Sequence, residues 1–177
     1  SSVSLGSYAY SRSDQVHALA TNNLDFVVDP VIPVSDEIDS FKVFEDDWVA
    51  MHRDGHHLAD IKNITIEDIL NQRHLHVSNR RRGLHLIDLE LDKIGYRREV
   101  ALRCQHFLIA PQILRSTDLV LMGTRSFAIA NNLPFIEVPI EIPSMEYFLI
   151  WHKSDEGDGG HLWMKDLIIK AFIDAKK

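Results

Sequence analysis

Residues Tyr147–Ile168 read YFLIWHKSDEGDGGHLWMKDLI. An apolar run closes on Trp151-His152-Lys153, an acidic, glycine-rich stretch Asp155–Gly160 follows, and His161, Trp163 and Lys165 open the last part. The apolar run Met145–Trp151 is predicted to be a buried strand, because it has no polar alternation to expose a face. Beyond the loop, Trp163, Leu167 and Ala171 recur at four-residue spacing, as do Met164, Ile168 and Phe172. That period gives a helix with a broad apolar face to lay on a sheet. Strand, solvated loop and amphipathic helix form one end of an α/β unit.

Working outward, strand and helix signals alternate along the chain, which predicts an α/β fold with largely parallel pairing. Val3–Leu5 reads as a short strand, and Ser11 and Ser13 as caps for a helix burying Val16 and Leu19. Leu24–Val28, Phe41–Phe44 and Trp48–Met51 read as strands. Thr65-Ile66-Glu67-Asp68 has the form of a capping box, with Asp in the place of Glu. Leu75–Val77 is a strand. Leu84, Ile87, Leu91 and Ile94 share a helical face that Gly95 terminates with a left-handed residue. Val100, Leu102 and Cys104 alternate as a strand, Leu108–Arg115 is helical, and Leu119–Met122 is a strand before a Gly123-Thr124 turn and a helix over Arg125–Asn131. Phe135–Ile140 completes the set. Pro139 places it at an edge or a crossover, since proline cannot donate to a ladder.

A chain of 177 residues holds one ordinary domain or two small lobes. The net charge of −7 argues against direct grip on nucleic acid, which needs clustered Lys and Arg. The charge is uneven. Gln72–Ile142 carries 10 Lys+Arg against 7 Asp+Glu, and the remainder 9 against 19. A basic segment flanked by acidic sequence is the pattern of one lobe inserted into another, with 1–71 plus 143–177 as the first lobe and 72–142 as the second. The single cysteine, Cys104, excludes an internal disulfide, fits a reducing cytoplasm, and reads as a buried structural thiol. No apolar run approaches the roughly 18 residues of a membrane helix.

Ten histidines raise the question of a metal, but no HExxH or paired CxxC spacing accompanies them, and they read as titrating surface residues. No GxSxG elbow, Walker loop or GxGxxG fingerprint is present, so no catalytic residue, metal ligand or cofactor is assigned. Two places are better suited to binding. Tyr10-Ser11-Arg12-Ser13 and Ser78-Asn79-Arg80-Arg81-Arg82 each follow a strand and precede a helix. Ligands of open α/β sheets sit beyond the carboxyl ends of strands, and helix N-termini attract anions. Ser11, Ser78 and Asn79 would add donors, and Arg12 and Arg80 charge-assisted bonds. Gln105 and His106, at the end of another strand, join them. Singly, each group is also what an ordinary helix cap with solvated arginines looks like. One in each lobe is what favours a cleft.

With these pieces in place, the chain resembles the effector-binding domain of LysR-type transcriptional regulators. Leu19–Val28 (LATNNLDFVV) is similar to the family's G-x-L-D-hydrophobic strand, with Asn23 for the glycine. Asp47–Ala59 (DWVAMHRDGHHLA) is similar to its strand and HPLA turn, with His57 for the proline. Thr117–Val120 and Tyr147–Lys165 resemble the branch of nodulation and aromatic-catabolism regulators, whose YLxWHxR…HxWLR signature has Lys153, Met164 and Lys165 as replacements here. The resemblance implies two Rossmann-like lobes joined by two crossovers, as in type 2 periplasmic binding proteins. It implies a cytoplasmic ligand sensor, no enzyme, with a small, carboxylate-like effector contacting Ser11, Arg12, Ser78, Asn79, Arg80, Gln105 and His106. It further implies a homodimer or homotetramer, no membrane partner, and promoter DNA reached only through an N-terminal helix-turn-helix outside this sequence. Val3–Leu5 would then be the second strand of the first lobe. A stand-alone solute-binding protein of a transport system is the alternative with this architecture, and a metal-dependent hydrolase is a third reading.

Overall fold

The computed structural model describes residues 3–78 and 85–174. In chain order the elements are α1 (Arg12–Ala20), β1 (Val27–Asp29), β2 (Ile38–Asp46), β3 (Trp48–Met51), α2 (Ile66–Leu70), β4 (Arg73–Val77), α3 (Leu86–Lys93), β5 (Glu99–Cys104), α4 (Ala110–Arg115), β6 (Leu121–Thr124), α5 (Arg125–Ala130), β7 (Phe135–Glu137), β8 (Met145–His152) and α6 (Gly159–Asp174). They divide into two compact units: Ser1–Glu45 with Glu146–Lys177, and Asp46–Met145.

The first unit is a sheet of order β1-β8-β2, with β1 antiparallel to β8 through Val27↔Ile150 and Asp29↔Phe148. Strand β8 lies in the middle, which is why its stretch Tyr147–Trp151 is apolar without a break. Phe148 and Ile150 pack with Leu19 and Val16 of α1 on one face, while Tyr147, Leu149 and Trp151 pack with Ile168, Ile169 and Phe172 of α6 on the other. The polar residues of the opening stretch hold this unit together. Lys153 donates from its backbone N–H to Glu37 O at 2.8 Å and from Nζ to Asp36 O at 2.8 Å. The His161 ring stacks on Phe26 at 4.1 Å and donates from Nε2 to Asp25 O, and Lys165 Nζ sits 4.5 Å from the Trp151 ring. Helix α6 covers the sheet with one face only. Trp163 and Leu167 lie on the other and are about half exposed.

In the second unit β3 is flanked by antiparallel β6 and β7, and β4 runs parallel to β5. The two groups are stitched by Leu75 N–H to Val120 O (2.9 Å) and Val120 N–H to Arg73 O (3.0 Å). All four residues of β3 are buried, since both its faces are covered. Trp48 and Ala50 meet α2 and α3 through Ile69, Ile87 and Leu91, and Val49 and Met51 meet α4 and α5 through Leu114 and Ala128.

Several expectations are revised. Among the described residues β1–β8, β3–β6 and β3–β7 pair antiparallel, while β4 runs parallel to β5 and meets Val120 in a parallel bridge. Val3–Leu5 is exposed coil with no partner strand among the described residues. The ladder at β1 starts at Val27, not Leu24. Gly123 and Thr124 belong to β6 and pair with Val49 and Trp48 instead of turning. The second compact unit runs from Asp46 to Met145, where β3 pairs with β6 and β7 of the same unit, whereas charge alone sets the limits at Gln72 and Ile142. Within 46–145 there are 12 Lys+Arg and 13 Asp+Glu, so the basic stretch marks part of a unit and not its limits. In β5 the clean alternation breaks at a register shift, His74 facing Val100 and Leu75 facing Leu102, which leaves Ala101 over and Leu102 40 % exposed. Ile87 and Leu91 are buried as expected, Ile94 is exposed, and Leu84 lies outside the described residues.

The capping box forms as read: Thr65 Oγ1 accepts from Asp68 N–H, and the Asp68 carboxylate accepts from Thr65 N–H at 2.8 Å. Gly95 ends α3 at φ +83°, with open space where a Cβ would stand. Gly95→Ala is therefore expected to lose about 1–2 kcal/mol by urea unfolding from backbone strain alone. A neutral result would show that α3 ends without needing the left-handed residue.

Candidate functional site

Parallel pairing of β4 with β5 brings their carboxyl ends together, with Val77 opposite Cys104. Ser78 N–H donates to Cys104 O at 3.0 Å, so Ser78 stands one residue beyond the ladder, beside the turn that carries Gln105 and His106. That turn is fixed by Cys104, whose Sγ accepts from His106 N–H and donates to His106 O, both at 3.3 Å. The thiol is half-buried and occupied by this turn, where a buried structural group was expected. Ser78 is half-buried, and Gln105 and His106 are exposed. The arrangement presents a hydroxyl, an amide and an imidazole at one sheet end, able to donate to and accept from a polar guest. Asn79 and Arg80 lie outside the described residues.

The candidates of the first unit are differently engaged. Ser11 has the extended backbone of an N-cap (φ −71°, ψ 149°), but its hydroxyl makes no cap bond. It donates to Asp14 Oδ2 at 2.6 Å and lies 2.7 Å from Ser13 Oγ. These two hydroxyls hold the Asp14 carboxyl below its ordinary range. Arg12 donates from Nε to Asp29 Oδ1 at 2.8 Å, and the same carboxylate accepts from Gln15 and from Val31 N–H. The guanidinium thus locks α1 to the end of β1, and its charge is already met.

Sequence reasoning missed a buried polar cluster on the α3 side of β4. His74 and His76 are buried on β4, not exposed and titrating as expected. His74 donates from Nε2 to Ile69 O at 3.1 Å, and its Nδ1 has no partner. Arg98, with a side chain 2 % exposed, donates from Nε to Asp88 Oδ1 at 2.6 Å. Burial, then the nearby Arg98 charge, pushes the His74 pKa down to about 4. The alternation of His74 and His76 was the visible signal, since residues two apart on a strand share a face. What hid the cluster was the lack of any local cue pairing Asp88 with Arg98. His52 and His56 are buried too, and His56 caps the turn at His57–Asp60 by accepting Leu58 N–H on Nδ1.

The family described as LysR substrate binding domain matches residues 3–172. The HTH-type transcriptional activator NagR of Ralstonia sp. is 27 % identical over 138 residues, which cover 76 % of this chain and 46 % of NagR. The chain spans about half the length of the curated relatives it matches. The probable transcriptional regulator PA0477 from Pseudomonas aeruginosa is 30 % identical, with a TM-score of 0.73 over 85 % of this chain and 52 % of that one. The BenM effector binding domain with its effector benzoate shares the fold at a TM-score of 0.75, with 10 % identity over 96 % of this chain and 78 % of that one.

Proposed function

The chain belongs to the LysR substrate-binding domain family, whose fold is the type 2 periplasmic-binding-protein-like α/β fold, and from that premise we propose that it senses a small carboxylate for a DNA-binding transcription regulator. The observation that carries the reading is the family match across 3–172, together with Ser78, Gln105 and His106 gathered at one sheet end. Those three side chains, with Asn79 and Arg80, are the proposed effector contacts in the second unit. Ser11 and Arg12 are proposed contacts in the first, Arg12 by exchanging Asp29 for the ligand. The two compact units, Ser1–Glu45 with Glu146–Lys177 and Asp46–Met145, are proposed to be regulatory subdomain I and regulatory subdomain II.

A carboxylate suits the donors at the strand ends and agrees with benzoate as the effector of BenM. The ligand acts by binding one conformation better than another, which is what shifts a regulator's output. The chain works by binding and not by catalysis, in the cytoplasm. It is part of a homodimer or homotetramer that reaches promoter DNA through a helix-turn-helix in the longer protein. Regulators named among the relatives favour this over the transport alternative. No helix of the described residues is long and apolar enough to cross a membrane.

The test is a calorimetric titration with benzoate and a panel of aromatic and aliphatic carboxylates, repeated on Ser78→Ala. Saturable binding to one class is expected, weakened about tenfold in the variant by the loss of one hydrogen bond to a charged group. Equal affinity in both proteins removes Ser78 from the site. Failure of every carboxylate removes the ligand class.

A further inference from the structure

A second basic site lies on the flank of the second unit, between α3 and β5. A groove of about 340 Å³ runs between α3 and the edge strand β5, lined among others by Asp88, Asp92, Tyr96, Arg97, Arg98 and Arg103. Its charges do not balance. Asp88 answers Arg98 at 2.6 Å, and Asp92 accepts from Arg97 at 3.0 Å. Arg103 is exposed and meets no carboxylate among the described residues.

The three guanidiniums converge because of the irregularity in β5. The shift between His74 and Leu75 leaves Ala101 over, so that Arg103 comes opposite His76 while Val100 stands opposite His74. Val100 and Arg103, three apart and on opposite faces of a regular strand, therefore share the α3 side. Without the extra residue Arg103 would face α4.

A second observation points to a guest. Arg98 is almost wholly enclosed, yet its Nη1 has no hydrogen-bond partner among the described residues. Buried donors are seldom left unmet. One guanidinium too many at the surface and an unanswered one beneath it both call for negative charge, in a protein whose own net charge is −7.

We propose that this groove is an anion site for a compact oxyanion, held in the fork of Arg103 with Arg97 exchanging Asp92 for the ligand, over the positive field of Arg98. Inorganic phosphate and a small carboxylate share the chemistry that the site reads, a planar or tetrahedral set of oxygens facing guanidinium N–H groups. The proposal does not depend on Ser78 or on the effector reading, since none of the residues lining the groove is among the proposed effector contacts.

The experiment is calorimetry with sodium phosphate, and separately with sodium acetate, at low ionic strength on the whole chain. Saturable phosphate binding with a Kd of about 1 mM or tighter is expected. Arg103→Met should weaken it about tenfold or more, and Arg103→Lys should recover only part, because an ammonium replaces a fork by a point charge. Lys42→Met, which removes an exposed charge in the first unit, should leave it unchanged, as should Ser78→Ala. Acetate binding with the same dependence on Arg103 would assign the groove to carboxylates, and its absence would assign it to phosphate. Absence of saturable binding by either anion, equal affinity in Arg103→Met, or the same loss in Lys42→Met overturns the proposal. A loss in Ser78→Ala equal to that in Arg103→Met would also overturn it, by merging the groove with the strand-end site.

Discussion

Arg98→Met should lower the stability of this protein by about 3–5 kcal/mol in urea unfolding. The Arg98 side chain is 2 % exposed, and its Nε–H meets Asp88 Oδ1 at 2.6 Å. Asp88 is itself mostly buried. Burial pushes its carboxyl up, and Arg98, with the His85 N–H, more than reverses this to hold it below its ordinary value. Truncating Arg98 keeps the volume roughly filled but strands a carboxylate in the interior, and the uncompensated charge is the source of the loss. The pair as a whole contributes far less, since desolvating two ions offsets most of their attraction. Arg98→Met with Asp88→Asn should therefore recover more than half of the deficit, a coupling that a double-mutant cycle reads directly. A single variant within 1 kcal/mol of the parent would show that water reaches Asp88 and that the cluster is solvated.

The second large effect is on pH. His74 is neutral in the folded protein, with its pKa pushed down from 6.5 to about 4 by burial first and by Arg98 next. The unfolded chain takes up a proton on this ring near pH 6.5, and the folded chain only near pH 4. The stability that His74 confers is complete above pH 6.5 and is lost as the pH falls from there to about 4, by up to about 3 kcal/mol. His56, lowered chiefly by burial, changes in the same direction. The carboxylates held low, such as Asp88 and Asp118, add their loss only at more acid pH. Urea midpoints measured across pH 4–7 should slope steadily, and His74→Gln, which keeps an N–H for Ile69 O, should flatten the slope. A parent protein with level stability over this range would refute the buried neutral ring.

What was legible in the residues was local or periodic. The apolar run at β8 required a strand covered on both faces, and α1 and α6 provide the cover. The Thr65 box and the Gly95 stop are set by residues three or fewer positions apart, and both formed. Pro139 announced the end of a ladder, and β7 is an edge strand that stops at Glu137. What depended on distant pairing was not legible. The Asp46 limit of the second unit follows from β3 pairing with β6 and β7, which no local pattern states. Val3–Leu5 has the composition of a strand but, among the described residues, no partner strand to complete its hydrogen bonds. At the candidate site, the strand-end placement of Ser78, Gln105 and His106 followed from counting along two strands. The engagement of Arg12 by Asp29 joins residues 17 positions apart and was invisible in the same count. The Arg98–Asp88–His74 cluster was hidden for the same reason, since histidine composition alone cannot tell a solvated ring from an enclosed one.

The discontinuous first unit sets an order for biosynthesis. Strand β1 hydrogen-bonds to β8, so Val27 must wait for Ile150. A ribosome delivers the whole of Asp46–Met145 in between, a continuous segment with its own sheet and two interior clusters. The middle of the polypeptide can thus condense while the amino-terminal portion is still waiting for its central strand. Throughout that interval Leu19, Val27 and Ile38 have no β8 to cover them. Chaperone capture during translation is accordingly expected at the beginning of the chain, even though those residues emerge first.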